Sequence, residues 1–135
     1  MRAIAGGIKV ISARHEQAAV VMADGYARVT SRPGVCVIGT GPAITQTGTG
    51  LLTARKHRSP ILMIAGDLHS GTSHNVKSFD QRQFAQVTAG TFIPLASALT
   101  TAYDARRAFR KVRSGVGPVV VEGRMTQAGG YSDDK

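Results

Sequence analysis

The chain has 135 residues, 16 of them glycine, a single cysteine and a formal net charge of +9. This length points to one domain with its own hydrophobic core, and no apolar run approaches the ~20 residues of a membrane span. The lone Cys36 excludes an internal disulfide and a multi-cysteine metal site, and its setting in VCVIG predicts a buried, inert thiol. The start MRAIAGGIKVISARHE lacks the long apolar core and small-residue cleavage site of a secretory signal, so the cytoplasm is the expected compartment.

In chain order, Ile8 to Ile11 alternate apolar and polar and predict a short strand, with Ser12 as a helix N-cap. The proline-free stretch from His15 through Ala27 predicts a helix whose Ala19, Met22, Ala23 and Tyr26 form a stripe of mostly small residues. Thr30 to Gly34 (TSRPG) breaks it. Val35 to Gly39 is a nearly continuous apolar run, as expected of a parallel strand covered on both faces. Gly39 to Gln46 (GTGPAITQ) ends that strand, and Thr45 or Thr47 can cap a second helix running to about His57. Ile61 to Ala65 predicts another buried strand, followed by a loop from Gly66 to Ser78. Asp80 caps a short helix to about Thr88, and Phe92 to Leu95 makes a brief strand. Thr100 or Thr101 starts a helix with Ala105, Ala108, Phe109 and Val112 on its inner face and Arg106, Arg107, Arg110 and Lys111 outside. Gly115 ends this helix, Pro118 to Val121 gives the last strand, and Thr126 to Lys135 reads as a disordered tail.

Strands and helices alternating at this pitch are βαβ units. The predicted fold is therefore α/β: a doubly wound, mainly parallel sheet with helices on both faces, forming one domain over residues 1–125. The basic runs at 55–58 and 106–113 fall on predicted helix surface without interleaved aromatics, which favours a solvated face over nucleic-acid binding.

Several segments are candidates for chemistry. Glu16 and Glu122 are the two glutamates, and Glu16 sits in the first turn of a helix rich in alanine, valine and methionine. A carboxyl buried there without a cation would have a raised pKa useful for proton exchange. A glutamate stabilised by the helix macrodipole explains the position equally well. In GTGPA, Gly39 and Gly41 follow a strand as in a dinucleotide fingerprint, but Ile44 stands where a third glycine belongs, and a tight turn accounts for the same residues. Walker-A spacing and a G-x-S-x-G elbow are absent. His69 and His74 share a loop with Asp67 at spacing too loose for a closed metal site, so no metal ligands are assigned.

The run Arg14-His15-Glu16-Gln17-Ala18-Ala19, continued as Met22-Ala23-Asp24-Gly25-Tyr26-Ala27-Arg28, resembles the signature helix of the pyrimidine-binding (PYR) domain of thiamine-diphosphate enzymes of the acetolactate synthase and 2-keto-acid decarboxylase type. The Arg32-Pro33-Gly34-Val35 turn, Gly41-Pro42, Pro60 to Asp67, Asp80-Gln81 and Gly117-Pro118-Val119 extend the resemblance over residues 8–122. It implies that Glu16 hydrogen-bonds the pyrimidine nitrogen N1′ and favours the imino tautomer. Gly25 and Tyr26 would serve close helix packing. Gly41, Pro42, Ala43 and Gln46 would lie near the pyrimidine or at a subunit interface.

The sequence departs from the family at Ala43 and Gln46, where a glycine and an asparagine are usual, and at Val121 to Met125, where a Pro-Leu-Asp segment is usual. The family's first strand and helix would precede Ile8, so they are expected to be missing, leaving an open sheet edge. The diphosphate half, with its Gly-Asp-Gly magnesium motif, is also lacking, and Gly66-Asp67-Leu68 does not replace it. The expected function is thus the pyrimidine half-site of a carboligase or decarboxylase, completed by a diphosphate-binding domain or subunit that holds magnesium. The competing expectation is a truncated, non-catalytic domain with a structural or oligomerisation role. A homodimer is expected in either case, without nucleic acid or membrane.

Overall fold

The computed structural model describes residues 7–67, 79–95, 97 and 99–124, the side chains of Asp67 and Arg124 excepted. Four helices and four strands follow in the order α1 (Glu16–Thr30), β1 (Gly34–Ile38), α2 (Gly48–Lys56), β2 (Ile61–Asp67), α3 (Gln81–Thr88), β3 (Thr91–Pro94), α4 (Thr101–Arg113) and β4 (Val119–Arg124), with a 3-10 helix (Gly41–Thr47) between β1 and α2.

The strands form one parallel sheet in the order β1-β2-β4-β3. Progress from β1 through β2 to β3 runs outward with α2 and α3 on one face. The step back from β3 to β4 places α4 on the other, as constant right-handed crossovers require. The doubly wound α/β fold read from the sequence is therefore present.

Each face has its own core. Under α1, α2, α3 and the 3-10 helix lie Val20, Cys36, Ile38, Leu51, Met63 and Val120. Beneath α4 are Leu62, Ile93, Val119 and Val121, sealed by Ala108 and Val112. Alternate residues of β2 and β4 supply both cores, because successive strand side chains point to opposite faces.

Local signals explain the element ends. His15, rather than Ser12, caps α1: its Nδ1 accepts from the Gln17 amide at 3.1 Å. Ser31 ends the helix in the left-handed region at φ 56°, and its amide donates to Ala27. Asp80 caps α3 by accepting from the Gln83 amide at 3.0 Å. Gly115, at φ +76°, follows α4 in the usual C′ manner. Gly34 sits so close to α1 that a Cβ would lie 2.1 Å from the Ala23 carbonyl oxygen, so glycine sets the spacing between helix and sheet.

Several local expectations are corrected. Residues 8–13 are irregular and exposed rather than a strand at Ile8 to Ile11, because no described strand pairs with them. The turn after β1 winds first as a 3-10 helix, in which Thr45 and Thr47 hydrogen-bond back to Pro42 and Ile44; Thr47 takes the N-cap position of α2 without a capping hydrogen bond from its side chain. β1 is covered on one face only: Val35 is 48% and Val37 61% exposed. On α1, Val20, Ala23 and Ala27 face the core, whereas Met22 and Tyr26 point outward. The expected loop begins after Asp67, since Gly66 and Asp67 extend β2. Its residues 68–78 and the expected tail at 126–135 lie outside the described residues.

Candidate functional site at the carboxyl end of the sheet

Helices in a parallel α/β fold run antiparallel to the strands they cover, so helix N-termini and strand carboxyl ends share one edge. Glu16 opens α1 on that edge, and the turn after β1 brings Gly41, Pro42 and Ala43 to the same end. Glu16 is partly buried, next to the exposed cap His15. Its side chain is therefore less enclosed within this chain than the apolar helix sequence suggested. Gly41 is buried at φ +62°, a left-handed conformation that glycine adopts without strain. Pro42 occupies the start of the 3-10 helix, where its missing amide is tolerated. Ala43 and Ala19 both pack onto the core cluster that contains Val20 and Ile44, which fixes the turn against α1. Gln46 is exposed on the outer side of the 3-10 helix.

A second polar group on the same edge was not anticipated from the sequence. Gln81, the first residue of α3, is 5% exposed, and its Nε2 donates to Gly66 O at 2.9 Å and to Glu122 Oε1 at 2.8 Å. This ties the carboxyl ends of β2 and β4 to the N-terminus of α3. The available signal was Glu122 itself, an acid closing an apolar strand.

The outer sides of α1 and α2 form a groove of about 340 Å³ lined by Gln17, Val21, Asp24, Gly25, Thr49 and Thr53 among others. Gly25 has open space where a side chain would stand, and Tyr26 beside it is 49% exposed. At Gly50 a Cβ would meet Val20 Cγ1 at 3.0 Å, and this close approach holds α2 against α1. Asp24 is buried, which opposes its ionisation. Two hydrogen bonds from Arg28, at 2.9 and 2.6 Å, together with the guanidinium charge, outweigh that burial and hold the carboxyl below the usual carboxylate range. Cys36 is pushed up to about 12 by burial, which makes it the inert thiol expected. Among the described residues, no three His, Cys, Asp or Glu side chains are grouped to hold a metal, and no helix is long and apolar enough to cross a membrane.

Residues 1–89 match the family described as thiamine pyrophosphate enzyme, N-terminal TPP binding domain. Over 66 residues, 49% of this chain, it is 46% identical to the probable 2-ketoarginine decarboxylase AruI of Pseudomonas aeruginosa, of which the match covers 12%. It is 49% identical over 65 residues to the acetolactate synthase large subunit of Haemophilus influenzae, covering 48% of this chain and 11% of that one. A longer match, 86 residues at 37% identity, is to the probable acetolactate synthase large subunit of Methanocaldococcus jannaschii, covering 63% and 14% respectively. The chain thus matches about an eighth of the length of these relatives. Given a parallel α/β sheet with Glu16 and the Gly41 turn on its carboxyl edge, and a family match across two of its three thirds, the chain belongs to the N-terminal TPP-binding domain family of thiamine pyrophosphate enzymes.

Proposed function

We propose that this chain supplies the pyrimidine end of a thiamine-diphosphate site in an acetolactate-synthase-like carboligase or 2-keto-acid decarboxylase. The observation that carries the reading is the position of Glu16, a partly buried carboxylate opening α1 on the same edge as the left-handed Gly41 turn. The donor set suits the ligand. A carboxyl group at a helix N-terminus can share a hydrogen-bonded proton with a ring nitrogen. Gly41, in its left-handed conformation, turns the chain so that Pro42 and Ala43 offer small apolar surfaces at this edge. Gln46 stands further out, suited to a partner surface.

Bound at such a site, thiamine diphosphate supplies a nucleophilic thiazolium carbon and an electron sink for a 2-keto acid. The task of Glu16 is to hold a proton between its carboxylate and the ring nitrogen N1′. Closing the site against a second domain would remove water from Glu16 and strengthen that proton sharing. The diphosphate and magnesium belong, in this proposal, to another domain or subunit. A homodimer joined along the α1–α2 groove fits the exposed Val21 and Tyr26.

A second reading, a PYR-fold domain with a structural or oligomerisation role, is favoured by the open face of β1 at Val35 and Val37. Calorimetric titration of thiamine diphosphate with magnesium separates the two, using the chain and Glu16→Gln, each alone and with a candidate diphosphate-binding partner. Binding that requires the partner, with turnover of a 2-keto acid reduced at least about a hundredfold in Glu16→Gln, is the expected result. A folded protein that binds in no combination leaves the structural reading.

A further inference from the structure

The described carboxylates, Asp24 apart, gather toward one end of the sheet. Among the described residues, Glu16, Asp80 and Asp104 stand at helix N-termini, and Asp67 and Glu122 at the carboxyl ends of β2 and β4. All five therefore lie toward the carboxyl end of the sheet. Asp24 is the remaining described carboxylate, and Arg28 holds it in a bidentate pair.

The opposite, amino end gathers a cluster of cations, while Arg14 and Arg82 stand toward the carboxyl end. The strands start in register there, with Gly34 beside Ile61, and both Leu62 and Thr91 aligned on or beside Val119. The segments entering the strands consequently share one end, and each follows a helix C-terminus. Arg32 follows α1, Lys56 and Arg58 close α2, and Arg110, Lys111 and Arg113 lie in the last turn of α4, all exposed. These segments touch. The Gly34 amide donates to Pro60 O at 2.9 Å, and a Cβ on Gly117 would stand 3.6 Å from Arg58 Cα. Basic runs that are separate in sequence thus become one face.

Helix C-termini attract cations, but the four such ends carry together only about −2 charges, well below the positive charge gathered here. The excess is available to a partner. We infer that the amino end of the sheet is a docking face for an acidic segment of another protein. An acidic protein fits better than nucleic acid, because the one aromatic side chain within these basic runs, Phe109, packs into the core under α4 and leaves no ring beside the cations to stack on bases. The face lies opposite Glu16, so docking leaves the proposed cofactor edge free, and the inference stands whether or not that edge binds thiamine diphosphate.

Fluorescence anisotropy with a labelled deca-glutamate peptide tests it on the full chain, with a labelled DNA duplex as the competing probe, at about 20 and 200 mM salt. The Lys56→Glu/Arg113→Glu double variant is compared with Arg14→Glu/Arg82→Glu, which makes the same charge change at the other end; circular dichroism checks that each is folded. The expected result is peptide binding that weakens at the higher salt and falls roughly tenfold in the first variant but less than about threefold in the second. Equal losses in both variants, no peptide binding at the lower salt, or tighter binding of the duplex than of the peptide would overturn the inference.

Discussion

Cys36 and Ile38 are buried beneath α1 and the 3-10 helix, while Val35 and Val37, one residue away on the other face of β1, stand 48% and 61% exposed. At the centre of the sheet the contrast disappears: Val119, Val120 and Val121 are buried whichever way they point, because α4 covers one face and α1 to α3 the other. The strands are alike in composition, and their energetic roles differ only through what lies above them. An apolar strand gains its stabilisation from coverage, about 1.5–3 kcal/mol for a fully buried valine, and half of β1 lacks it.

Leu51→Ala should be the most damaging test of the closed face. Leu51 is fully buried in the core under α2, and its truncation should cost about 2–5 kcal/mol in chemical denaturation. A smaller loss would mean that this face is looser than its contacts indicate. Gly34→Ala places a methyl against the backbone of α1 and should cost about 1–3 kcal/mol, the helix having to move off the sheet.

Asp24→Asn should cost about 1 kcal/mol or less near neutral pH, because Arg28 is well exposed and solvent screens the pair. The sign of its pH dependence follows from the lowered native pKa. The carboxylate stabilises the fold above its unfolded value, near 4, and that contribution is lost as pH falls through the native value. The gap between wild type and variant should therefore close in acid, and a gap unchanged at pH 3 would remove the ion pair from the account. Val37→Ser should change stability by no more than about 0.5 kcal/mol if the outer face of β1 is solvated in solution. A loss well above 1 kcal/mol, dependent on protein concentration, would show that a second copy covers it.

What could be read along the chain follows the range of the interactions involved. The helix at Glu16, the Asp80 cap, the Gly115 terminus and the apolar strands at 61–65 and 118–121 rest on contacts within a few residues, and all are found within about three residues of their expected bounds. Ile8 to Ile11 shows the reverse. Its alternation is strand-like, yet a strand exists only through a partner, and among the described residues it has none. Tyr26 and Met22 failed as core residues for a related reason: a helical stripe of small side chains fixes a face but does not say which neighbour it meets.

The candidate site divides in the same way. Glu16 and the Gly41 turn were legible because each belongs to a contiguous motif, and the parallel topology was enough to bring them to one edge. The Gln81–Glu122 hydrogen bond joins residues 41 apart, and no local pattern announces it. By itself, the sequence determined the order of elements, the parallel α/β class and the helix that presents Glu16, since caps, periodicity and glycine turns act over short distances. Tertiary structure decided which side of β1 is covered, which polar groups pair across the carboxyl edge, and that three separate basic segments meet at the amino edge. Those outcomes depend on which way each crossover carries the chain, a property of the closed sheet rather than of any single segment.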